Sequence, residues 1–336
     1  EQMTVRHMCE ERERRELSPF AAQASNSKGR KRPEEPSPVR TCYQRDTDRI
    51  VHSKAFRRLM HKTQVFLQPE GDHYRTRMTH TWEVSRIART IARGTRLNED
   101  LAEAISLGHD LGHTPFGHAG ERALNSVMPG GFRHNEQSLR VAETIEREGE
   151  GLNLCYEVLD GLLCHTGEVA PQTLEGRIIR YADRIAYINH DIDDAIRAGI
   201  LRFEDIPEDV SELLGSTHSE RINALVTDVI LNSQDGTIGM SAQCEQAMAH
   251  LRTFLFERVY MNPVAKGEER KIGRLIAMLF EHYCANPSEL PHEYREVGER
   301  EGLERAACDY IAGMTDKYAL FKFDEIFVPK SWTLLD

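Results

Sequence analysis

Apolar residues recur at helical spacing along almost the whole chain from about residue 46, and this periodicity is the strongest constraint on the fold. Between residues 80 and 93, apolar side chains stand at positions i, i+3, i+4 and i+7, so they line one face of a helix. Segments with the alternation of a half-buried strand are few. We therefore predict an all-α protein with one compact core. The apolar residues on this face of the 80–93 segment are Val84, Ile87, Ala88 and Ile91.

The sequence also predicts where several helices begin and end. Asn98, followed by two acidic residues, is a typical N-cap, and it begins a helix on which Leu101, Ile105 and His109 share a face. Gly199 is a fitting C-cap for a helix over 174–198. Further helices are predicted over 219–231, 241–260, 267–285 and 300–320.

Residues 1–40 differ from the rest. The stretch "SNSKGRKRPEEPSPVR" has three prolines, a basic cluster and no apolar period, which predicts an N-terminal arm that is extended or partly disordered, or that contacts another subunit. The basic "KGRKR" is interpreted mainly as a solvated tail, with a nucleic-acid or subunit contact as the alternative.

Composition limits the partners and the compartment. The net charge of −11 argues against sequence-independent nucleic-acid binding, which needs a cationic surface. The seven cysteines are odd in number and form no CxxC motif, so we expect free thiols in a reducing compartment. The longest notable apolar run, "LIAMLF", is far shorter than the roughly 20 residues of a membrane span. We expect a cytoplasmic protein with no membrane contact.

Four polar residues fall on predicted buried faces or directly beside one: His80, His109, Asp110 and Asp183. A single histidine on an apolar face is usually a satisfied core residue. A buried carboxylate without a partner, however, costs several kcal/mol. Two imidazoles and two carboxylates that converge on one point would all be satisfied by one divalent metal ion.

The donor types restrict the metal. Two nitrogen and two oxygen ligands without thiolate suit a six-coordinate Mn²⁺, Mg²⁺, Fe²⁺, Co²⁺ or Ni²⁺ ion whose shell is completed by water. A closed structural zinc site is the weaker alternative, because such sites usually contain cysteine.

An isolated histidine, a His-Asp pair and a distant aspartate resemble the HD-domain metal-dependent phosphohydrolases. The wider sequence is similar to the bacterial deoxyguanosine-triphosphate triphosphohydrolase-like family, whose motif blocks occur in the right order over about residues 40–330. The blocks are "RDTDRIVHSKAFRRLMHKTQVF" (45–66), "GDHYRTRMTHTWEVSRIARTIAR" (71–93), "GHDLGHTPFGHAGE" (108–121), "FRHNEQSLRV" (132–141), "HTGE" (165–168), "RYADRIAYINHDIDDAI" (180–196) and "DYIAGMTDKYAL" (309–320).

The resemblance implies an HD-domain helical bundle over residues 41–336, with an HD core at about 75–200 and a C-terminal helical part at about 201–336. It implies hydrolysis of deoxynucleoside triphosphates, dGTP among them, to deoxynucleoside and inorganic triphosphate by water attack at the α-phosphate. It also implies a homo-oligomer (a hexamer, dimer or tetramer) and, in some members, activation by a dNTP at a second site. Its metal ligands, with Mn²⁺ or Mg²⁺ expected first, are His80, His109, Asp110 and Asp183.

The resemblance also places residues around the phosphates. Arg77 corresponds to a phosphate-binding arginine, and a planar cationic donor suits that role. His113, His118 and Glu121 surround the scissile α-phosphate, and His118 with Glu121 is the expected proton-transfer pair. Whether His113 or His118 acts on the proton is left open. His134 corresponds to a further phosphate contact.

The resemblance implies four more residues that bind the substrate. Arg184 lies where relatives carry a cation against the triphosphate. Tyr187 would exclude a ribose 2′-hydroxyl, and Asp191 would accept a hydrogen bond from the 3′-hydroxyl. Gln64 is a second 3′-hydroxyl contact. Asp183, Tyr187 and Asp191 stand four residues apart, on one face of the predicted helix.

Two other functions remain open at this point. One is a different HD hydrolase, such as a 5′-deoxynucleotidase or a phosphodiesterase. The other is a nucleotide-sensing or single-stranded nucleic-acid-binding module, which the basic segment alone supports. The sequence has no P-loop, GxGxxG, HExxH or GxSxG motif. Phosphates would therefore be held by metal, arginine, lysine and histidine. The preferred base cannot be read from the sequence.

Overall fold

The structure, a computed structural model, describes residues 3–64, 75–261 and 263–330. These residues form sixteen α-helices and no strand, which confirms the all-α prediction. The ends of the predicted arm and domain, residues 1–2 and 331–336, lie outside the described residues. The helices are α1 (Val5–Glu16), α2 (Cys42–Val51), α3 (Lys54–Arg58), α4 (Arg77–Gly94), α5 (Glu99–Gly108), α6 (Gly117–Val127), α7 (His134–Arg140), α8 (Tyr156–Cys164), α9 (Leu174–Arg197), α10 (Glu208–Leu214), α11 (His218–Asn232), α12 (Ala242–Leu255), α13 (Pro263–Ala285), α14 (His292–Glu301), α15 (Leu303–Ala312) and α16 (Asp316–Phe327).

Three mutually packed helices, α4, α5 and α9, form the centre of the fold. Each begins at a capping side chain that accepts a backbone hydrogen bond: Thr76 for α4, Asn98 for α5 and Thr173 for α9. The Asn98 cap is as predicted, and Gly199, with a φ of 71°, follows the end of α9 as predicted. These caps satisfy amide groups that a helix start leaves unpaired.

Buried apolar side chains form two neighbouring clusters rather than one undivided core. The larger cluster lies mainly between α2, α4, α5, α8, α9, α11 and α12. The smaller cluster lies between α6 and α13–α16. Ile145 packs against both clusters. The loop between α5 and α6 runs from one to the other, because Leu111 is buried in the larger cluster and Phe116 in the smaller.

The N-terminal segment is only in part the extended arm that its composition predicts, since residues 17–41 contain no α-helix but the residues before them do. Residues Val5–Glu16 form α1, whose N-cap Thr4 makes a reciprocal capping box with His7. The following chain is fastened to the rest of the protein by buried acids: Glu175 accepts a bond from the amide of Ala22, and Glu157 accepts one from Ser27 Oγ. Apolar periodicity does not hold this segment. Charged residues that favour helices form α1, and hydrogen bonds to buried carboxylates hold the chain that follows. A subunit contact through this segment remains a prediction.

The predicted helix over 300–320 is wrong, because three helices share that span. Gly302, with a φ of 99°, separates α14 from α15, and this left-handed backbone favours glycine. Thr315 then caps a new helix, α16, by accepting a bond from the amide of Tyr318. Apolar spacing continues through both breaks, so periodicity did not reveal them.

All seven cysteines are free thiols, as predicted from their spacing. None of the described helices combines the length and apolar character needed to cross a bilayer. The cytoplasmic location remains a prediction.

The buried pair of Arg30 and Asp46 gives a test of how the N-terminal segment is held. Asp46 is fully buried and also accepts a bond of 2.7 Å from the amide of Cys155. Asp46→Ala should lower the free energy of unfolding by about 3–5 kcal/mol, since it removes the buried partner of Arg30 and the acceptor of the Cys155 amide, and leaves Arg30 with the partly exposed Glu34. The matched control is Asp48→Ala, which removes an exposed pair with Arg40 and should cost at most about 1 kcal/mol. Equal costs in denaturant titrations would contradict this interpretation.

Candidate active site

The four predicted metal ligands converge at the centre of α4, α5 and α9. His80 lies in the first turns of α4, Asp183 lies within α9, and His109 and Asp110 directly follow α5. His80 Nε2 is 3.1 Å from Asp183 Oδ1 and 3.9 Å from Asp110 Oδ2. His109 Nε2 is 3.5 Å from Asp110 Oδ1 and 3.9 Å from Asp183 Oδ1. Two nitrogen and two oxygen donors therefore face one point.

The hydrogen bonding of His109 shows that this cluster suits a cation. His109 Nδ1 lies 2.6 Å from the carbonyl oxygen of Ser106, so Nδ1 carries a hydrogen, and the neutral ring presents a lone pair at Nε2. Nε2 is buried, and it has no hydrogen-bond partner among the described residues. A lone pair facing carboxylate oxygens is repulsive unless a cation lies between them. The ligand atoms of His80, His109 and Asp110 all lie within 4.8 Å of one another, close enough to hold a divalent metal ion, and Asp183 lies beside both histidines.

Both carboxylates of the cluster are ionised. Burial alone would raise the pKa of Asp110, but its interactions with His109 and Arg77 outweigh burial and hold the pKa well below its ordinary value. For Asp183, burial is likewise outweighed, mainly by the hydrogen bond and charge of His80, and the pKa is lowered. Negative charge is therefore concentrated where the nitrogen donors meet.

Arg77, the first residue of α4, borders this cluster and has two side-chain nitrogens that make no hydrogen bond to the described residues. Its side chain is almost fully buried, and Nη1 donates to Asp110 Oδ2 at 2.8 Å. Nε and Nη2 are buried without a hydrogen-bond partner in the described part of the chain. A buried guanidinium with two unused donors is suited to an anion such as a phosphate group.

The loop between α5 and α6 depends on close packing and on left-handed backbone. A Cβ atom at Gly112 would lie 2.1 Å from the amide nitrogen of Ser138, so only glycine lets the loop approach α7 so closely. Phe116 and Gly117 both have positive φ values, 63° and 56°. The amide of Phe116 donates to Asp316, which stabilises this uncommon conformation. The loop therefore holds its histidines in fixed positions.

His113, His118 and His134 gather around the single carboxylate of Glu121. His134 Nδ1 is 2.8 Å from Glu121 Oε1, and His118 Nδ1 is 3.5 Å from Oε2. His113 is buried and stacks on His134 with ring centroids 4.7 Å apart. The side chain of His118 is 68% exposed. The structure therefore brings all four predicted residues of this group together, with His118 at the surface.

His165 is a member of this group that the sequence reading missed. Its Nδ1 lies 2.8 Å from the carbonyl oxygen of Leu162, so its Nε2 is an acceptor for His134 Nε2 at 3.2 Å. His134 then donates from both nitrogens, to His165 and to Glu121, which is the pattern of a charged imidazolium. The motif "HTGE" contains His165, but nothing in the sequence indicates its contact.

The charges of this group differ sharply from one residue to the next. Burial, reinforced by Arg77 and His134, lowers the pKa of His113 well below its ordinary value, so His113 is neutral. Burial would also lower the pKa of His134, but the bond to Glu121 outweighs it and the pKa is raised. In Glu121, the bonds to His118 and His134 overcome burial and lower the pKa. The pKa of His165 is lowered by burial to about 3.

The predicted substrate contacts on α9 differ from one another in burial and in bonding partners. Tyr187 is half-buried against the larger core cluster. Asp191 is buried, and its Oδ2 accepts a bond from the hydroxyl of Tyr260. Arg184 is partly exposed, and its guanidinium lies 3.4 Å from Glu245. Tyr260 and Glu245 come from the C-terminal half and were not anticipated.

Gln64 is buried, with an Oε1 atom that has no hydrogen-bond partner among the described residues. It is the last residue before a gap in the description. The end of its motif block, residues 65–66, and the start of the next, residues 71–74, lie outside the described residues.

A second feature missed by sequence reading joins the C-terminal helices to this loop. Lys62 is buried, and its Nζ donates to the carbonyl oxygens of His113 and, at 2.9 Å, of Ala312. Burial lowers the pKa of Lys62 to about 7, and Arg58 adds to the effect. Asp316 accepts bonds from Phe116 N and from Thr63. Asp316, the first residue of α16, thus stabilises the loop between α5 and α6.

Comparison with known proteins defines the class. Residues 77–188 match the HD domain family, and residues 238–325 match the phosphohydrolase-associated domain. The chain shares its fold with a solved phosphohydrolase from Bacteroides thetaiotaomicron, at 17% identity and a TM-score of 0.53, over 83% of this chain and 67% of that one. Fold, His/Asp cluster and family match together define an HD-domain phosphohydrolase.

Curated relatives define the family within this class. A protein of Caldanaerobacter subterraneus is 56% identical over 98% of both chains. One from Desulfatibacillum aliphaticivorans is 50% identical over 97% of this chain and 99% of its own, and one from Clostridium perfringens is 49% identical over 98% and 99%. All three are named deoxyguanosinetriphosphate triphosphohydrolase-like protein. The chain belongs to the deoxyguanosinetriphosphate triphosphohydrolase-like family.

Asp316 gives a test of the support behind the loop. Asp316→Ala should lower the free energy of unfolding by on the order of 3 kcal/mol, because the amides of Phe116 and Thr63 lose their acceptor inside the protein. Asp324→Ala, which removes an exposed carboxylate from the same helix, is the matched control and should change it little. Chemical denaturation measures both. A loss no larger than that of the control would show that Asp316 does not hold the loop.

Proposed function

We propose that this protein hydrolyses deoxynucleoside triphosphates, dGTP among them, to deoxynucleoside and inorganic triphosphate by attack of water on the α-phosphate. The observation that carries the proposal is that a metal-type cluster and a set of phosphate-binding side chains lie next to each other. A buried His/Asp cluster suited to a divalent cation lies beside Arg77, which has two unused buried donors. Close to Arg77 stands His113 of the loop between α5 and α6, and His118 and Glu121 of α6 lie beside His113. The names of the relatives support the same substrate class.

The metal would be held by His80, His109, Asp110 and Asp183. Mn²⁺ or Mg²⁺ is proposed first, and Co²⁺, Ni²⁺ or Fe²⁺ would also accept two nitrogen and two oxygen donors. A metal in such a site supplies Lewis acidity and makes a bound water more acidic.

The protein's own cationic and polar side chains would hold the triphosphate. Arg77 offers Nε and Nη2, and the buried His113 Nδ1 also has no partner in the described chain. His134, charged through its bond to Glu121, adds a positive group to the same wall. These groups would replace the glycine-rich backbone that other nucleotide-binding proteins use. Arg184 would join them by leaving Glu245.

His118 is the proposed proton donor to the 5′-oxygen of the leaving deoxynucleoside. Glu121 lies at His118 Nδ1, so the imidazole can keep its Nδ1 hydrogen and deliver a proton from Nε2. His118 is exposed, whereas His113 is buried and neutral. This difference favours His118 for the proton and His113 for phosphate contact.

Discrimination for a deoxysugar is proposed to come from Tyr187, against the 2′-position, and from Asp191 and Gln64, at the 3′-hydroxyl. A cytoplasmic role in control of the dNTP pool, a homo-oligomer and a second, activating dNTP site belong to the same proposal. They follow from the family resemblance, and mixtures of dNTPs would reveal the second site.

The direct test is analysis of the products formed from each dNTP, alone and in mixtures, with Mn²⁺. We expect deoxynucleoside and intact triphosphate, and Asp110→Ala should abolish turnover, because it removes a metal ligand. Inorganic phosphate or pyrophosphate as the product would overturn the proposal. Hydrolysis of monophosphates alone would favour a 5′-deoxynucleotidase. Nucleotide or single-stranded DNA binding without any turnover would favour a sensing module.

His118 is tested by His118→Gln, which should lower kcat by about 10²–10⁴-fold, the usual contribution of a general acid. Affinity for Mn²⁺ should be unchanged, because His118 lies outside the metal cluster. His292→Gln changes an equally exposed histidine beside Glu296 and serves as the control. A kcat close to that of the wild type would assign the proton to another group.

A further inference from the structure

His80 is contacted on both sides of its imidazole ring. Its Nε2 faces Asp183 and Asp110, at 3.1 and 3.9 Å, in the proposed metal cluster. Its Nδ1 lies 2.9 Å from Nε2 of His190, and the two rings stand almost perpendicular at 86°. Both histidines are buried, so water does not compete for this contact.

The contact fixes where the hydrogens lie if His80 binds a metal. A metal ligand at Nε2 must present a lone pair there, so the hydrogen is on Nδ1 and is donated to His190. His190 must then accept at Nε2 and carry its own hydrogen on Nδ1. That atom lies 2.9 Å from Asp191 Oδ1, although without the geometry of a hydrogen bond, and Asp191 Oδ2 accepts the hydroxyl of Tyr260.

The two histidine ligands are thereby held by different means. His109 donates its Nδ1 hydrogen to a backbone carbonyl, that of Ser106, which no side-chain substitution removes. His80 relies on a side chain, His190, and on the charge of Asp191 behind it. Partners of this kind orient metal-binding imidazoles and raise their basicity.

We propose that His190 is a positioning residue for the metal site. It sets the ring orientation of His80 and keeps the hydrogen of His80 on Nδ1, and the carboxylate of Asp191 lies beside the other nitrogen of His190. The inference rests on the proposed function, because it requires His80 to be a metal ligand. It gives Asp191 a task in addition to any contact with the sugar.

The test is titration of the apo-protein with Mn²⁺, followed by electron paramagnetic resonance of the free ion. His190→Leu, which fills the space but accepts no hydrogen bond, should weaken Mn²⁺ binding by about 10–100-fold. His190→Gln, which can place an acceptor near the same point, should restore most of the affinity. His282→Leu is the control. His282 pairs with Glu289 and lies on α13, which carries none of the proposed metal ligands.

The outcomes separate the inference from the proposed function. If the wild type binds no Mn²⁺, both are overturned. If the wild type and His190→Leu bind Mn²⁺ equally well, only the inference is overturned. Should His190→Leu fail to fold, ¹⁵N NMR of histidine side chains in the Mg²⁺-bound wild type decides. A hydrogen on Nδ1 of His80 supports the inference, and a hydrogen on its Nε2 contradicts it.

Discussion

The convergence of two carboxylates and two imidazoles is the constraint on which the rest of this structure depends. The pKa values of the buried Asp110 and the partly exposed Asp183 are both lowered, so these carboxylates favour the anionic form. His109 directs a lone pair towards them because its other nitrogen is bonded to the backbone. Such an arrangement is suited to a cation. The mutual packing of α4, α5 and α9 brings these groups to one point.

A single loop connects this metal-type cluster to the groups that would act on phosphate. Leu111 holds one side of the loop in the larger core cluster, and Phe116 holds the other side in the smaller. Lys62 and Asp316 then tie the loop to α15 and α16. The HD-type helices therefore supply the metal ligands, while the C-terminal helices fix the loop. This explains physically why both parts of the chain are needed at one site.

Much of the fold and most of the site can be predicted from the sequence, because both leave local signals. The Asn98 cap, the Gly199 helix end and the shared faces of His80 and Asp183 follow from helical spacing. Contacts between distant segments have no such signal: nothing near Lys62 or Asp316 indicates that they meet the same loop. His165 and His190 stand beside quoted motifs, but only the packing shows what they touch. The N-terminal segment was misread because buried acids, not apolar periodicity, hold it.

The division of roles between the two histidine clusters is tested most directly by the position of a bound metal. The histidine and acidic side chains offer more than one group that could hold an ion, including His113, His118 and Glu121. Anomalous scattering from crystals soaked in Mn²⁺ would locate the ion. We expect one strong peak within coordination distance of His80, His109, Asp110 and Asp183. A peak at His113, His118 and Glu121 instead would contradict the assignment of metal binding to one cluster and proton transfer to the other.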